Sequence, residues 1–429
     1  MMVQSETPRR EATVSRMSLS EMVFIVGGFF APLQISVFKA FTVYDLFTVM
    51  VAFLLVAERR RMRPIPTSLR VATGLLLIAA FVSAFRALYP LDAVTQGLQY
   101  AFLLLVQIPV VLTIASSRAA VDGALIMLIA GFLWRVAHTA AMGQYIGAHR
   151  LVTDIANNPN QLAIPAAILA PIALYYASRA WRNGRRIVAL VGGGGALYGM
   201  LWAIAASGSR SSAMGGLVSL FVYLVFRRGI DRRILGRVLI FLAVLATLGL
   251  VVYQTSIFPS ALKDRVQGTI DTPSVVMDEY RVTDSRPELD RGGLNAFEES
   301  PLVGTGLDNF RYVSQFYGVP VQPYLSTSHA VHNVYINFLA ETGVFGALAF
   351  LFIIGRWFVL VFRAQSFTSD PRRREFLWAL IAGIVATLTM GMATPVVVLR
   401  REFWLFYALG IAVAAGLALE SRVRAKDSR

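Results

Sequence analysis

What most constrains this chain is a succession of apolar runs, each roughly 17 to 25 residues long, separated by short polar stretches. A run of that length covers about 30 Å of hydrocarbon at 1.5 Å per residue, so the pattern predicts membrane-spanning helices. We read about twelve of them, at roughly 20–37, 42–57, 68–88, 97–116, 120–141, 160–180, 186–206, 211–227, 236–257, 332–361, 375–396 and 402–419. The composition agrees, with 56% hydrophobic and only 15% charged residues and a mean hydropathy of +0.61. The expected fold class is all-α, a polytopic membrane protein forming a single integral membrane domain over residues 1–429. One large outer loop, residues 258–331, is expected within it. The first twenty residues carry Arg9, Arg10 and Arg16 but no small-residue cleavage site, which predicts that the first apolar run is retained as a helix. The chain has no cysteine, which excludes disulfides and thiolate metal sites.

The arginines fall in a pattern. Arg59 to Arg63 follow the second run, Arg118 the fourth, Arg179 to Arg186 the sixth, Arg227 to Arg237 the eighth, and Arg363 with Arg372 to Arg374 the tenth. The tail adds Arg422, Arg424 and Lys426. An even number of crossings puts both termini on the side of these loops, and the positive-inside rule places that side in the cytoplasm. The net charge of +15 is then mostly topogenic and asks for no nucleic-acid partner. The opposite side has few cations: Arg86, Arg150, Arg210, Arg400 and Arg401, with Lys263, Arg265, Arg281, Arg286, Arg291 and Arg311 in the long loop. Retention on the inner side does not explain them. Each is either a helix-end arginine reaching for the interface or a ligand for an anion at the outer face, and their number on one face favours the second.

Several other features have structural explanations. VGGGGALYG (191–199) lies inside an apolar run and lacks the strand and acidic partner of a dinucleotide site, so close helix packing is expected. In NNPNQLA, Asn158 and Pro159 read as the N-cap and first position of a helix, leaving Asn160 and Gln161 free to meet a polar ligand. His138, near Arg135 in mid-span, is given a packing role. GTGLDNF (304–310) reads as a glycine-bearing turn that closes an amphipathic outer segment. No outer segment holds an Asp-x-Asp pair, a His-x-x-x-His pair or carboxylates at metal-ligand spacing, so neither a metal nor another cofactor is expected, and an anion would be met by arginine.

Five stretches, in order, resemble the O-antigen ligase and polysaccharide polymerase family of bacterial inner membranes. They are NNPNQLA, SGSRSS (207–212), SRPELDRGGLNAFEESPLVGTGLDNF (285–310), SHAVHNVYINFLAETGVFG (328–346) and REFW (401–404). The likeness runs from about residue 150 onward. It implies a wholly helical fold similar to other polyprenyl-dependent membrane glycosyltransferases. It also implies metal-independent, inverting transfer of a glycan from undecaprenyl diphosphate, at the periplasmic face, to a saccharide acceptor. A ligase uses a lipid-borne core sugar as acceptor; a polymerase uses another lipid-linked repeat unit. By the resemblance Arg210, Arg286 and His332 carry the chemistry, and His329 has no counterpart. Arg150, Asn160, Gln161, Asn309, His329, Asn333, Arg400 and Arg401 are the further candidates for contacting substrate.

A sugar hydroxyl attacking an anomeric carbon must lose a proton, and a neutral imidazole is a suitable acceptor. Departing diphosphate concentrates charge that Arg210 and Arg286 could stabilise. The competing reading of His332 is that it caps its helix beside Asn333. Glu341 lies nine residues on, about 180° around a straight helix, and would partner another element only if the helix bends. A lipid-linked sugar flippase is the alternative of another class, but no internal repeat of these motifs relates the two halves of the chain.

Overall fold

The computed structural model describes residues 17–38, 41–146, 150–152, 159–229, 233, 236–241, 243–244, 286–319 and 330–427. Among them the chain is a bundle of helices with two short antiparallel ribbons, Ser36–Phe38 with Phe41–Thr42 and Gln144–Ile146 with Arg150–Val152. Eight helices are long and apolar enough to cross a bilayer, and three shorter apolar helices, Leu19–Phe30, Val43–Ala57 and Arg210–Phe226, accompany them. The ninth predicted crossing, 236–257, lies mostly outside the described residues, as do 258–285 and 320–329 of the predicted outer loop.

Local chemistry sets most boundaries. Helix α1 (Leu19–Phe30) starts with a capping box in which the Glu21 amide donates to the Ser18 hydroxyl and the Ser18 amide to Glu21. It ends seven residues before the predicted limit of 37, because Pro32 cannot donate a backbone hydrogen bond and the chain turns into the first ribbon. Twelve helical residues cover only about 18 Å. Helices α2 (Val43–Ala57) and α3 (Thr67–Ser83) follow, and α4 (Pro90–Phe102) continues through a π-helical turn, Leu103–Gln107, into α5 (Ile108–Ile114), whose second residue is Pro109. Thus the fourth crossing starts at Pro90, not 97. Next come α6 (Arg118–Met142), α7 (Pro159–Arg182), α8 (Gly194–Ser207, preceded by the π-turn Val188–Gly193) and α9 (Arg210–Phe226). Pro159 opens α7 as expected, while Asn158 lies outside the described residues. The glycine run packs only in part. A Cβ on Gly193 would meet Ala177 and one on Gly199 would meet Leu133, but Gly192, Gly194 and Gly195 face open space.

Helix α10 (Arg286–Glu299) and the single turn α11 (Phe310–Val313) belong to the outer connection. After them come α12 (Val334–Ser366), α13 (Pro371–Gly391) and α14 (Arg401–Asp427), with a 3₁₀ turn, Pro395–Leu399, before the last. Two helices form the centre. Every residue of α7 from Leu162 to Ala173 and of α14 from Arg401 to Ala412 is buried, the signature of a helix surrounded by others. Trp357, Trp404 and Tyr407 fill the space around α14, with the Trp357 indole donating to the Tyr407 carbonyl at 2.8 Å.

Antiparallel succession sorts the polar segments to two ends. At one end lie the arginine-rich loops, tied by Arg179 to Asp122 (2.6 Å), Arg182 to Glu375 (2.6 Å) and Arg373 to Glu420 (2.6 Å). At the other lie the first ribbon, the α3–α4 corner, the α8–α9 corner, the 300–312 loop, the start of α12 and the start of α14.

Candidate functional site

The second end is organised around a break in α12. Gly343 takes φ +65°, a conformation costly for any residue with a side chain, and the helical ladder is interrupted there. The 300–309 loop repairs it. The amides of Thr305 and Gly306 donate to the carbonyls of Ala340 and Glu341 at 2.9 and 3.0 Å, and the Val344 amide donates to the Pro301 carbonyl at 2.8 Å. Contact is so close that a Cβ on Gly343 would lie 2.4 Å from the Leu302 carbonyl, and one on Gly304 would lie 2.4 Å from the Glu341 carbonyl carbon. The Pro-Leu-x-Gly-x-Gly and Glu-x-Gly motifs are therefore two halves of one backbone joint. Glu341 is buried, accepting from the Asn337 amide at 2.9 Å and from the backbone amides of Asp308 and Phe310. It is a structural partner of the loop, and the helix does bend, two residues later.

Asn309 is also built into this joint. Its carboxamide accepts from the Tyr89 amide (2.8 Å) and donates to the carbonyls of Tyr89 (3.2 Å) and Leu307 (3.1 Å), and it is fully buried. Those bonds pin the loop to the α3–α4 corner rather than leaving the amide to a ligand. Arg86 joins the same seam through the Ser300 hydroxyl at 2.8 Å.

The helix cap, the competing reading of His332, belongs to its neighbour. The Asn333 Oδ1 accepts from the amides of Tyr335 (3.0 Å) and Ile336 (3.4 Å), so Asn333 is the N-cap of α12 and His332 precedes it, half-buried. Capping therefore does not account for the imidazole. Helix α10 packs beside it, since a Cβ on Gly293 would touch Val331 and Ile336. Arg286 is the first residue of α10; its side chain, like that of Arg150, and the whole of His329 lie outside the described residues.

Arg210 is the first residue of α9. The SGSRSS motif makes a two-residue corner: Gly208 ends α8 with φ +58°, and the Ser209 hydroxyl caps α9 by accepting from the Ser212 amide at 3.3 Å. The exposed Arg210 thus stands at a helix N-terminus, where the macrodipole disfavours a cation but favours an anion. The end of α13 and the residues just after it tie this corner to the first turn of α12. Ser211 meets Thr394 at 3.3 Å, the Tyr335 hydroxyl donates to the Leu388 carbonyl at 3.1 Å, and a Cβ on Gly391 would lie 2.8 Å from Val334.

Arg400 and Arg401 were expected to meet substrate, but both are buried and carry internal counter-ions. Arg401 forks onto Asp45, with Nε to Oδ1 at 3.0 Å and Nη2 to Oδ2, while Asp45 also accepts from the Thr42 amide at 2.7 Å. Arg400 Nη2 donates to Glu402 at 2.8 Å. Both arginines line a cavity of ≈ 790 Å³, and Gln161 of α7 lines it too. Asn160 is half-buried at the start of α7.

The rest of that cavity was not anticipated. Besides the first ribbon and the turn before α14, its walls include Asp92, Thr95, Gln96 and Gln99 of α4 and Asp308, Arg311 and Tyr312 beyond the loop joint. The Tyr312 hydroxyl donates to Asp92 at 2.7 Å, Arg311 pairs with Asp308 at 2.7 Å, and the Tyr89 and Tyr312 rings lie 4.3 Å apart. Burial pushes the Asp308 carboxyl up to about 6, with Arg311 opposing and Asp92 adding to the rise. A signal for this wall was present: positions 92, 95, 96 and 99 share one face of a helix, but starting the crossing at 97 left the first three in a loop. Among the described residues no three His, Asp or Glu side chains gather as a metal site would need.

No curated protein matches the chain. Residues 195–351, from α8 through the break in α12, match the family model for O-antigen ligase. The matched segment holds Arg210, Arg286, both halves of the backbone joint and the His332–Asn333 pair. That match supports placing this segment in the O-antigen ligase and polymerase family.

Proposed function

We propose that this protein transfers a glycan from undecaprenyl diphosphate to a saccharide hydroxyl. The acceptor is a lipid-borne core sugar in the ligase form of the reaction and another lipid-linked repeat unit in the polymerase form. The observation that carries the reading is the placement of Arg210 and His332 at one end of the bundle, within the segment that matches the O-antigen ligase family model. Arg210 is exposed at a helix N-terminus that repels it, and His332 stands outside a helix capped by Asn333. The positive-inside rule puts the arginine-rich end in the cytoplasm and this end at the periplasmic face of the inner membrane, the side on which the resemblance expects the substrates.

In the proposed reaction the acceptor oxygen forms a bond to the anomeric carbon as the bond from that carbon to the diphosphate oxygen breaks, and the diphosphate leaves with the electron pair. Neutral imidazole of His332 takes the hydroxyl proton. Arg210, reinforced by the amides of the first turn of α9, holds the leaving group, and Arg286 serves as the second cation. A single displacement of this kind inverts the anomeric configuration.

The test is donor affinity measured beside single-turnover transfer in one lipid mixture. His332→Ala should retain donor binding and slow transfer by about 10²-fold or more. Arg210→Lys and Arg286→Lys should lose donor affinity despite keeping the charge, because an ammonium lacks the bidentate fork, and alanine should lose more. Transfer at the native rate by His332→Ala would remove the basis of the reading.

A further inference from the structure

The geometry points to a saccharide-binding site in the ≈ 790 Å³ cavity walled by α4, the start of α14 and residues 308–312, taking a neutral, hydroxyl-rich sugar segment and not the diphosphate. Its size is within the range of about 300–1,000 Å³ usual for small-molecule sites. Three observations set the ligand class.

The first is the polar face of α4. Asp92, Thr95, Gln96 and Gln99 recur at helical spacing inside a segment apolar enough to cross a bilayer. Polar side chains at that depth are costly unless they face one another or a hydrated space, and these face the cavity. From Asp92 to Gln99 the face descends about 10 Å. The Gln96 carboxamide donates to that of Gln99 at 2.8 Å, and its own carbonyl oxygen can accept from a sugar hydroxyl in the cavity.

Charge is the second. A diphosphate site needs cations with capacity to spare, but every arginine on this wall already faces a carboxylate: Arg401 faces Asp45, Arg400 faces Glu402, and Arg311 faces Asp308 with Asp92 at 3.9 Å. An entering diphosphate would meet Asp92 and Asp308 as like charges, whereas a neutral hydroxyl can donate to both.

The third is an orphaned donor. Arg400 is 3% exposed and its Nε has no hydrogen-bond partner, although its Nη2 is paired. A buried N–H of this kind costs on the order of 1–3 kcal/mol until an acceptor reaches it, and a sugar oxygen in the cavity would supply one. The tilted Tyr89–Tyr312 pair beside the cavity offers a ring face to the C–H groups of a pyranose. None of the α4 or α14 residues lies in the segment that matches the family model.

Assigning the bound sugar as substrate rests on the transfer reading above, but binding itself does not, and the experiment keeps them apart. Two oligosaccharide preparations would be made from the producing cell's own surface glycan, one from the repeating polymer and one from the lipid-borne core, both freed of lipid and phosphate. Each would be titrated by ligand-observed NMR against the full-length protein in nanodiscs. One preparation should bind, and Gln96→Ala and Tyr312→Phe should each weaken it about tenfold, the loss of one to two hydrogen bonds. Inorganic pyrophosphate should not compete. Binding of the core preparation would mark the ligase acceptor; binding of the repeat preparation would mark the repeat unit. Failure of both to bind, displacement by pyrophosphate, or unchanged affinity in both pocket variants with normal folding by size exclusion would overturn the site. Sugar binding without any transfer activity would leave the site standing and remove the transferase reading.

Discussion

The two ends of the bundle use the same side chain in opposite ways. At the arginine-rich end the guanidinium groups are half-exposed or exposed and meet carboxylates across loop-proximal helix ends, as Arg373 does with Glu420 at 40% and 45% exposure. At the other end the side chains of Arg400 and Arg401 are buried and reach carboxylates that are buried too. The first set can be read from the sequence because its purpose is statistical: any cation near a helix end serves retention on one side of the membrane. The second set cannot, because its meaning depends on which carboxylate lies opposite. Arg401 and Asp45 are 356 positions apart, and nothing local in the sequence pairs them.

The sharpest way to break this contrast is to leave one buried partner alone. Arg401→Leu should cost about 3–5 kcal/mol by stranding Asp45 in a dry environment, seen as a large fall in thermal midpoint in detergent. Joining it with Asp45→Leu should recover much of that loss. If Arg401→Leu is as stable as the native protein, the pair is hydrated and the two ends do not differ as described.

An intermediate effect is expected at Asp308, which lies at the cavity rim and is partly exposed. Its carboxyl is held up at about 6, above the ordinary value near 3.8, mainly by burial. For a raised carboxyl the contribution to stability is fully present below about pH 4 and is lost as pH rises through about 6. Thermal midpoint should therefore fall between pH 5 and 7 more in the native protein than in Asp308→Asn, and parallel curves would show that the carboxyl is not held there. The least change belongs to the arginine-rich end, where Arg373→Ala should alter stability by about 1 kcal/mol or less in the same assay.

How much of this was legible from the sequence follows from the range of the forces involved. Helix positions followed the hydropathy because burial of apolar side chains is local to each run, and boundaries failed where a single residue decides, as at Pro32 or where Asp92 and Gln96 made a membrane helix look like a loop. The motif pairs were visible as a set, but not their reason. Only in three dimensions does Gly304 meet Glu341 and Gly343 meet Leu302. Similarly, Asn309 and Asn333 are candidates for contacting substrate in the sequence, where nothing shows what their carboxamides meet. Backbone amides and carbonyls meet them, at Tyr89 and Leu307 for one and at Tyr335 and Ile336 for the other. His332 gains from the second of these, since its neighbour took the cap.

The break at Gly343 bears on how the protein sits in lipids of different thickness. Unbroken, the 33 residues of α12 would measure about 50 Å, far beyond the hydrocarbon slab, and such a mismatch is ordinarily settled by tilting or by deforming the surrounding lipid. Here the loop amides end the outer nine residues as a separate rod, and Val344–Ser366 remains as a spanning piece of about 35 Å, within reach of a bilayer core at modest tilt. The spanning piece can then follow the membrane while the outer rod stays bonded to the 300–309 loop. The position of the start of α12, with His332 just before it, relative to the 300–309 loop is accordingly held within the protein by three backbone hydrogen bonds.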